Sequence, residues 1–337
     1  MRLVLFGQSG SKRRRYFAEA CQVAGLPLCF FDLESEWEEG LAALRPGDRL
    51  KIDPPGWTDS RIAAMPPLIK NYYQKLEILS RRGKEQGLFF LNAPAAIGDA
   101  LDKRRCKMRL TAAGLAVTPL VEFAGGGFAG LIAYLREKRI FQVFIKPNFG
   151  SGAAGVLALK LHPRRERYTA QTAMIEENGE YFNTKRIRTL TEAAVIQKMA
   201  DFLLAGGALV EQWVPKAARN GVVYDLRVVY QFGRVEWIQP RGARGGAITN
   251  LHLNNLPLSL FDLALSSEKE EEIAELCGRA CALFPGMNIA GFDILITKTG
   301  KPMIIEINAQ GDLLYQDIYD QNQIYRRQVQ AMAERPM

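Results

Sequence analysis

Histidine is almost absent from this sequence, with His162 and His252 as the two examples in 337 residues. They are too few and too far apart to form a zinc site. The five cysteines are odd in number and contain no C-x-x-C spacing, which argues against a disulfide framework. Cys277 and Cys281 lie one helical turn apart, and without histidine partners they are expected to be small buried hydrophobic residues.

Long apolar runs are missing as well. Residues 1–7 contain too short an apolar run for a signal peptide, and no later segment approaches the length of a membrane span. Hydrophobic residues make up 48% and charged residues 24% of the chain, as is usual for a soluble globular protein. We therefore expect a cytoplasmic protein without membrane contacts. Internal repeats and low-complexity tracts are also lacking.

The charge balance is basic, with a formal net charge of +8. This charge permits an anionic substrate, a nucleotide or a nucleic acid and does not choose among them. Two basic clusters, at residues 12–15 and 164–167, lack the interleaved aromatic residues of a platform for single-stranded nucleic acid. We expect both clusters to be solvated faces, and we expect no nucleic-acid partner.

The first 95 residues alternate short apolar runs with helical patterns. The turn at residues 7–11 lacks the full G-x-x-x-x-G-K-[ST] spacing of a phosphate loop, so an ordinary strand-to-helix connection is favoured. The pattern as a whole predicts a small α/β domain with a parallel sheet. Its strands are predicted at residues 3–6, 28–31, 49–52 and 88–91, and its helices at about 12–24 and 66–82.

The remainder of the chain is predicted to contain hairpins and helices. The predicted elements are, in order, a basic helix at 99–110, a helix at 130–139, strands at 141–146 and 156–160, a hairpin at 168–190 around Asn178-Gly179, a helix capped by Thr191 and ending near Leu204, strands at 208–215, 222–231 and 235–240, a helix capped by Ser266 or Ser267, and a terminal helix at 314–333.

A hairpin at residues 291–308 carries the most informative pattern. Two β-rich runs flank Thr299-Gly300, which is predicted to form a two-residue turn. That turn places Asp293 directly opposite Glu306, and Asn308 shares the face of Glu306 because side chains alternate along a strand. The opposite face is predicted to be an apolar strip of Phe292, Ile294, Ile296, Met303, Ile305 and Ile307.

Three oxygen-bearing side chains on one face suit a divalent cation. Carboxylates directly opposite each other repel, so a positive charge is needed nearby. Mg²⁺ prefers hard oxygen ligands together with the phosphates of a bound substrate. A hairpin with a solvated acidic face is the alternative, and the asparagine beside the two carboxylates favours the metal.

Two glycine-rich segments are candidate anion sites. At residues 146–155, Lys146 precedes a loop whose backbone N–H groups can turn inward and hold phosphate oxygens. At residues 241–250, Arg241 and Arg244 supply two guanidinium groups that suit an oxyanion or a phosphate. The alternatives are a mobile hairpin without a ligand in the first segment and a solvated loop in the second.

The order of these motifs resembles the ATP-grasp superfamily, in particular its branch of ribosomal-protein glutamate ligases and related peptide ligases. The resemblance covers about residues 90–312, and its motifs are specific by their order and spacing rather than singly. The matching features are a lysine-bearing helix, the Lys-Pro glycine-rich loop, Val-Glu-Gln-Trp-Val at 210–214, Asp-Leu-Arg at 225–227, and the Asp…Glu-Ile-Asn hairpin.

The resemblance implies a domain organisation and a role for each candidate residue. It implies an α/β (α+β) ATP-grasp fold with a Rossmann-like domain at 1–95, a first lobe with the phosphate loop at 96–210, and a second lobe with the metal-binding hairpin at 211–337. The implied sets are Lys103 (with Lys107 as its rival) and Lys146 on the ATP phosphates; Gly150, Ser151, Gly152 and Gly155 in the loop that closes over them; Glu211, Gln212, Trp213 and Val214 at adenine; Asp293, Glu306 and Asn308 on Mg²⁺ or Mn²⁺; and Arg227, Arg241, Arg244 and Asn250 near the transferred phosphate and the acyl substrate.

The resemblance further implies an ATP-dependent carboxylate–amine or carboxylate–thiol ligase that works through an acylphosphate. Its substrates would be small-molecule or peptide carboxylates and amines, and a homodimer is an assembly that related enzymes often form. The alternatives are a kinase on the same scaffold and a nucleotide-binding protein without catalysis. Many relatives continue after Glu-Ile-Asn with a Pro-Gly turn, whereas this chain has Ala309-Gln-Gly-Asp312, so the substrate loop is left undefined. No acidic residue follows four positions after Val214, so no ribose contact is assigned.

Overall fold

The chain forms three β-sheets with helices packed around them. The structure is a computed structural model that describes residues 2–150, 154–244, 248–249, 256–263 and 265–334. Within these residues, a four-stranded, a five-stranded and a six-stranded sheet follow one another along the chain. The mixed α/β class predicted from the sequence is therefore confirmed.

The first sheet is entirely parallel, as predicted. This part of the chain consists of β1 (Leu3–Gly7), α1 (Lys12–Val23), β2 (Leu28–Asp32), α2 (Trp37–Ala43), β3 (Arg49–Ile52), α3 (Met65–Gln86) and β4 (Phe89–Phe90). The strand order is β2-β1-β3-β4. Strand β1 is buried throughout because its apolar residues are covered on both faces. In a parallel sheet the carboxyl ends of the strands share one edge, so the turn after β1 and the segment after β3 face the same side.

Three helices follow the first sheet: α4 (Pro94–Leu101), α5 (Lys103–Ala112) and α6 (Gly127–Glu137). The prediction of one continuous basic helix over residues 99–110 was wrong. Asp102 leaves the helical conformation, and its side chain accepts a hydrogen bond from the Arg105 N–H at 2.9 Å. This cap starts a new helix with Lys103 in its first turn.

The second sheet is antiparallel and has the hairpin predicted around Asn178-Gly179. Its elements are β5 (Gln142–Lys146), β6 (Leu157–Leu161), β7 (Tyr168–Glu177), β8 (Glu180–Leu190), α7 (Ala193–Ala205) and β9 (Leu209–Gln212), with the strand order β8-β7-β6-β5-β9. Asn178 and Gly179 both adopt positive φ values, 53° and 79°, as a tight hairpin turn requires. Thr191 does not cap α7 as predicted, because the helix begins after Glu192, which makes no capping hydrogen bond.

The third sheet carries the 291–308 hairpin. Its elements are β10 (Ala218–Arg219), β11 (Val222–Gln231), β12 (Arg234–Arg244), β13 (Leu256–Pro257), α8 (Leu260–Leu263), α9 (Ser267–Ala282), β14 (Ile289–Ile296), β15 (Pro302–Asn308), α10 (Tyr315–Asp320) and α11 (Gln323–Glu334). The strand order is β13-β12-β11-β14-β15, and β10 pairs with β11.

Two predictions in this third region were wrong. Residues 241–244 belong to β12 and not to a loop, because Arg241 pairs with Asp225 and Arg244 with Val222. The single terminal helix at 314–333 is two helices, since the Asp317 carboxylate accepts hydrogen bonds from the first N–H groups of α11 and Asn322 has a positive φ of 53°.

The register of the 291–308 hairpin contains a loop and a bulge that compensate for each other. Ile296 pairs with Pro302, and the N–H of Thr297 donates to the Lys301 carbonyl at 2.9 Å. The loop therefore has three residues, 298–300, and not the two that were predicted. A bulge at Ile305 then restores the predicted pairing of Asp293 with Glu306.

The bulge changes which side chains of β15 face the core. Ile304 is buried against the apolar core with Ile294 and Ile307, whereas Ile305 faces the opposite side. The predicted apolar strip was therefore wrong at Met303, which is partly exposed, and at Ile305. An extra residue in one strand shifts its alternation by one position, and the sequence carries no marker of that shift.

Gly311 lies directly against Gly291, and this contact fixes the turn that follows β15. A Cβ on Gly311 would lie 2.5 Å from the Gly291 Cα. Because backbone atoms cannot move aside, we expect Gly311→Ala to lower the free energy of unfolding by about 1–3 kcal/mol. A lower Tm in thermal unfolding followed by circular dichroism would check this.

Gly206→Ala is the matched control for that measurement. A Cβ on Gly206 would meet its nearest atoms at 3.4 and 3.5 Å, which is ordinary contact. Its Tm should stay close to that of the wild type. Equal Tm values for the Gly311 and Gly206 variants would contradict the predicted clash.

One large core connects the first sheet to the third. It contains buried residues of β1 and β3, of the helices α3 to α5, and of β11, β14 and β15. A second core lies between the second sheet and the helices α6 and α7. None of the helices in the described ranges combines the length and apolar character needed to cross a membrane.

Candidate active site

A cleft of about 950 Å³ opens between the three sheets. Its walls include Lys103 and Lys146, and also Asp293, Glu306 and Asn308. Asp293, Glu306 and Asn308 are together named the oxygen trio below. The cleft thus brings together, from segments far apart in the chain, the lysines predicted to bind phosphate and the side chains predicted to bind a metal.

Lys103 faces the cleft, and its rival Lys107 does not. The Lys103 ammonium donates to the Gly150 carbonyl and lies 3.5 Å from Oε1 of Glu306. The Lys107 ammonium is buried and is engaged by Glu211, with Nζ 2.8 Å from Oε1. Lys103 is therefore the one of the two that is placed to meet a ligand.

Glu211 lies between two lysines. Its Oε2 is 2.8 Å from Nζ of Lys146 and accepts a hydrogen bond from the Thr118 hydroxyl at 3.0 Å. Burial alone would raise the pKa of this carboxyl, but Lys107 and Lys146 outweigh burial and lower the Glu211 pKa to about 2. Burial lowers the pKa of Lys107. The Glu211 carboxylate is thus ionised, and its ion pair with Lys146 fixes that lysine in the wall of the cleft.

The oxygen trio has cationic neighbours within the protein. Oδ1 of Asp293 lies 3.0 Å from NH1 of Arg227 and 3.3 Å from NH2 of Arg241. Lys103 faces Glu306, as described above. The positive charge that the opposed carboxylates require is therefore supplied in part by these three side chains.

The trio also fits a hard divalent cation. Asp293 Oδ1 is enclosed and makes no well-formed hydrogen bond in spite of its two guanidinium neighbours. One end of the Asn308 amide lies 3.3 Å from Oε1 of Glu306 and the other 3.1 Å from NH1 of Arg227. The Asn308 amide can adopt two orientations. A cation shared with Glu306 favours the orientation with the amide oxygen beside Glu306, whereas hydrogen bonding alone favours the one with the amide nitrogen there. The donors are two carboxylates and an amide, and the described residues hold no group of three or more His, Cys, Asp or Glu side chains that could bind a metal ion.

Asp225 organises a second set of cations on the same wall. Its buried carboxylate lies 2.8 Å from Nε of Arg241 and 2.8 Å from Nζ of Lys216, and it accepts a hydrogen bond from Thr249. Burial would raise the Asp225 pKa, but Arg241 and Lys216 hold it well below its ordinary value. With Nε used by Asp225, the outer end of the Arg241 guanidinium is turned toward Asp293.

The pKa values of the two guanidinium groups near the trio shift in opposite directions. Burial lowers the pKa of Arg227; Asp293 opposes this shift and Arg241 adds to it. Burial also lowers the pKa of Arg241, but Asp225 and Asp293 outweigh it and raise that pKa overall. A negatively charged ligand beside Arg227 would relieve the repulsion between these cations.

The glycine-rich loop is described at its two ends. Gly150 has a φ of 131°, and a Cβ there would lie 2.4 Å from the Met65 sulfur. Gly155 has a φ of 70°, and a Cβ there would lie 2.6 Å from Pro147. Both positions therefore require glycine. Ser151, Gly152 and Asn250 lie outside the described residues, and only the backbone of Arg244 is described.

The predicted adenine segment divides between two faces. Gln212 and Val214 line the cleft, together with the side chain of Glu211. Trp213 instead packs against Phe144 with ring centroids 5.2 Å apart.

Lys216, Ile305 and Arg13 line the cleft although the sequence did not predict it. Lys216 follows a strand end and has no motif around it, and Ile305 faces the cleft because of the bulge. Arg13 also lines the cleft, although the cluster at residues 12–15 was predicted to be solvated. A signal for Arg13 was available, because it follows a turn at the carboxyl edge of a parallel sheet, where ligands of such sheets bind.

Comparison with known proteins gives one family and several similar structures. The family model described as "YheC/D like ATP-grasp" matches residues 137–334. No curated protein sequence gives a significant match. The identities to the solved structures are low, so their likeness concerns the fold.

Three of the similar structures cover almost the whole chain. The D-cycloserine synthetase DcsG is 15% identical with a TM-score of 0.63, over 98% of this chain and 100% of that chain. The ATP-grasp ligase PsnB complexed with a minimal precursor is 16% identical with a TM-score of 0.59, over 99% and 98%. The D-alanine–D-alanine ligase from Bacillus anthracis is 12% identical with a TM-score of 0.60, over 98% and 95%.

Proposed function

Because this chain belongs to the YheC/D-like ATP-grasp family, we propose that it is an ATP-dependent ligase that joins a carboxylate to an amine or a thiol. The observation that carries the proposal is that Lys103 and Lys146 line the same cleft as Asp293, Glu306 and Asn308, with Lys103 3.5 Å from Glu306. Ammonium groups opposite hard oxygen ligands suit a nucleotide triphosphate and its metal ion. The fold shared with three ligases supports the same reading.

In this proposal the substrate carboxylate attacks the γ-phosphate of ATP and forms an acylphosphate and ADP. The amine or thiol then attacks the acyl carbon and releases phosphate. These steps need charge neutralisation and positioning more than acid–base side chains. That requirement agrees with a chain that has two histidines.

The cationic side chains of the cleft have different roles according to their positions. Lys103 and Lys146 bind the phosphates, Lys146 being held in place by Glu211. Arg227 and Arg241 stabilise the negative charge that develops on the transferred group. Closure of the hairpin at residues 146–160 excludes water, which would otherwise hydrolyse the acylphosphate.

Mg²⁺ or Mn²⁺ is the proposed metal, and Asp293, Glu306 and Asn308 would hold it. When bound, the metal neutralises charge on the ATP phosphates. One similar structure, of PsnB, contains Mg and ADP.

The proposed substrates are small molecules or peptides with a carboxylate or an amine. PsnB has been solved with a precursor peptide, and the macrocyclase MdnC from Microcystis aeruginosa with its precursor peptide MdnA. We propose that the chain acts in the cytoplasm, which suits its five free cysteines. The domain ranges 1–95, 96–210 and 211–337 and a homodimeric assembly are also proposals.

The test is ADP release combined with product mass. The protein is incubated with ATP, Mg²⁺ and a cell extract that supplies both the acid and the nucleophile, and we expect ADP to be released. Mass spectrometry should then detect a conjugate of the acid and the nucleophile, formed with loss of water. A product that retains phosphate would instead identify a kinase. ATP binding without ADP formation across broad substrate pools would indicate a nucleotide-binding protein without catalysis.

A further inference from the structure

The side chain of Arg13 points in a different direction from those of its basic neighbours. Lys12, Arg14 and Arg15 are exposed, whereas the Arg13 side chain is 19% exposed and lines the cleft. It lies in the first turn of α1, after the turn that leaves β1 at the carboxyl edge of the parallel sheet. The first domain thus contributes a guanidinium group to a cleft whose other cations come from later in the chain.

The Arg13 guanidinium is held in place by a buried ion pair. NH1 donates to Oδ1 of Asp312. Asp312 is fixed in turn by Lys51, with Nζ 2.6 Å from Oδ2, and by Gln328, whose Nε2 donates at 3.2 Å. A guanidinium carries five N–H donors in a planar fork, so this ion pair orients Arg13 and leaves donors for a ligand.

The loop that carries Asp312 also fixes Arg13 relative to the oxygen trio. Gln310 donates to the Ile52 carbonyl at 2.9 Å and to the Tyr72 hydroxyl at 2.6 Å. Gly311 lies against Gly291. The segment Ala309-Gln-Gly-Asp312, which replaces the Pro-Gly turn of many relatives, therefore fastens the end of β15 to the first domain.

Arg13 shares the cleft with a second guanidinium group. Arg13 and Arg227 both line its walls. Two guanidinium groups in one partly buried cleft repel each other, and an anion between them removes that repulsion. A planar fork at such a place matches the two oxygens of a carboxylate.

From this arrangement we propose that Arg13 binds a carboxylate of the substrate that is not the carboxylate being activated. The ligase would then act on compounds with a second anionic group at a set separation from the reacting group. Asp312 is a positioning residue in this proposal, since it acts through Arg13. The inference rests on the proposed ligase function.

The test compares acids with their amides as ligands of the full chain. Isothermal titration in the presence of Mg²⁺ and a non-hydrolysable ATP analogue would use L-glutamate against L-glutamine, and glutarate against glutaramate. We expect at least one acid to bind the wild type about tenfold more tightly than its amide, as one charge-assisted hydrogen-bond pair provides. In Arg13→Gln this preference should fall to about twofold or less.

Two further variants keep the test informative. Arg14→Gln, an exposed neighbour on the same helix, should retain the full preference. Arg13→Lys keeps the charge for Asp312 and thereby the fold, and it should show a reduced preference because lysine lacks the fork. A melting curve on each variant separates lost binding from lost folding.

The possible results distinguish this inference from the proposed function. A wild type that binds the ATP analogue but prefers no acid over its amide overturns the role of Arg13. An unchanged preference in both Arg13 variants overturns it as well. A wild type that does not bind the analogue at all overturns the proposed function instead.

Discussion

Replacing Glu306 by glutamine is expected to reduce ATP turnover by about 100-fold or more. The substitution keeps the shape of the side chain and exchanges a charged ligand of the proposed metal site for a neutral one. Glu306 is 23% exposed and its charged neighbour Lys103 lies 3.5 Å away, so the fold should be retained. The measurements are ADP formation and its dependence on Mg²⁺ concentration, which should shift to higher concentration in the variant.

Glu275→Gln is the matched control for this substitution. Glu275 is an exposed residue of α9 whose ionic neighbour is Arg279 at 3.8 Å. Its variant should turn over ATP at the wild-type rate. Full turnover by Glu306→Gln under the same conditions would remove Glu306 from the proposed metal site.

Asp293→Ala should also lose turnover, but it is the less selective test. Removing Asp293 leaves Arg227 and Arg241 without the carboxylate that both face. A loss of activity in that variant therefore combines an effect on the proposed metal site with a change in the position of two guanidinium groups. The glutamine variant of Glu306 avoids this second effect.

Replacing Glu211 by glutamine is expected to lower the free energy of unfolding by roughly 3–5 kcal/mol. Glu211 is buried and pairs with the ammonium groups of Lys107 and Lys146, each at 2.8 Å. Without its charge, these two cations face each other with little compensation. Denaturant unfolding of the wild type and the variant at neutral pH would measure the difference.

The same variant gives an expected dependence on pH. The folded-state pKa of Glu211 is about 2, below its ordinary value of 4.5, because Lys107 and Lys146 outweigh the effect of burial. A lowered pKa stabilises the fold above the ordinary value, and this stabilisation is lost as the pH falls from about 4.5 through about 2. The stability difference between wild type and variant should therefore be largest above pH 4.5 and shrink below it.

A double variant separates the ion pairs from general damage to the core. Combining Glu211→Gln with Lys107→Met removes one of the two uncompensated charges, so part of the lost stability should return. A double variant as unstable as the sum of the single ones would contradict the account of Glu211. So would a stability difference that does not change between pH 4.5 and 2.

The 291–308 hairpin shows how far local patterns can carry a prediction. The pairing of Asp293 with Glu306 follows from two β-rich runs around a glycine, and the structure has it. The length of the loop and the bulge at Ile305 could not be predicted from this pattern. Each of them shifts the strand pairing by one residue, and the two shifts have opposite directions and cancel at Asp293. The predicted face of Ile305 was wrong for that reason, while the face of the oxygen trio was right.

The lysines show what a local pattern leaves open. Lys103 and Lys107 are one helical turn apart, and sequence spacing alone cannot say which one meets a ligand. The choice depends on Glu211, which lies more than 100 residues later and engages Lys107. The roles predicted for these residues stay predictions until the variants are assayed.

The sequence by itself determined the mixed α/β class, the order of its motifs and the ATP-grasp resemblance, because alternation, glycine turns and motif spacing are local properties of the chain. The tertiary structure decided which charges meet: Lys107 with Glu211, Arg241 with Asp225, and Arg13 with Asp312. The two residues of each pair belong to different elements of the chain, so their contact is not a local property of the sequence. Burial determines each pairing, because a buried charge is costly unless an opposite charge lies beside it.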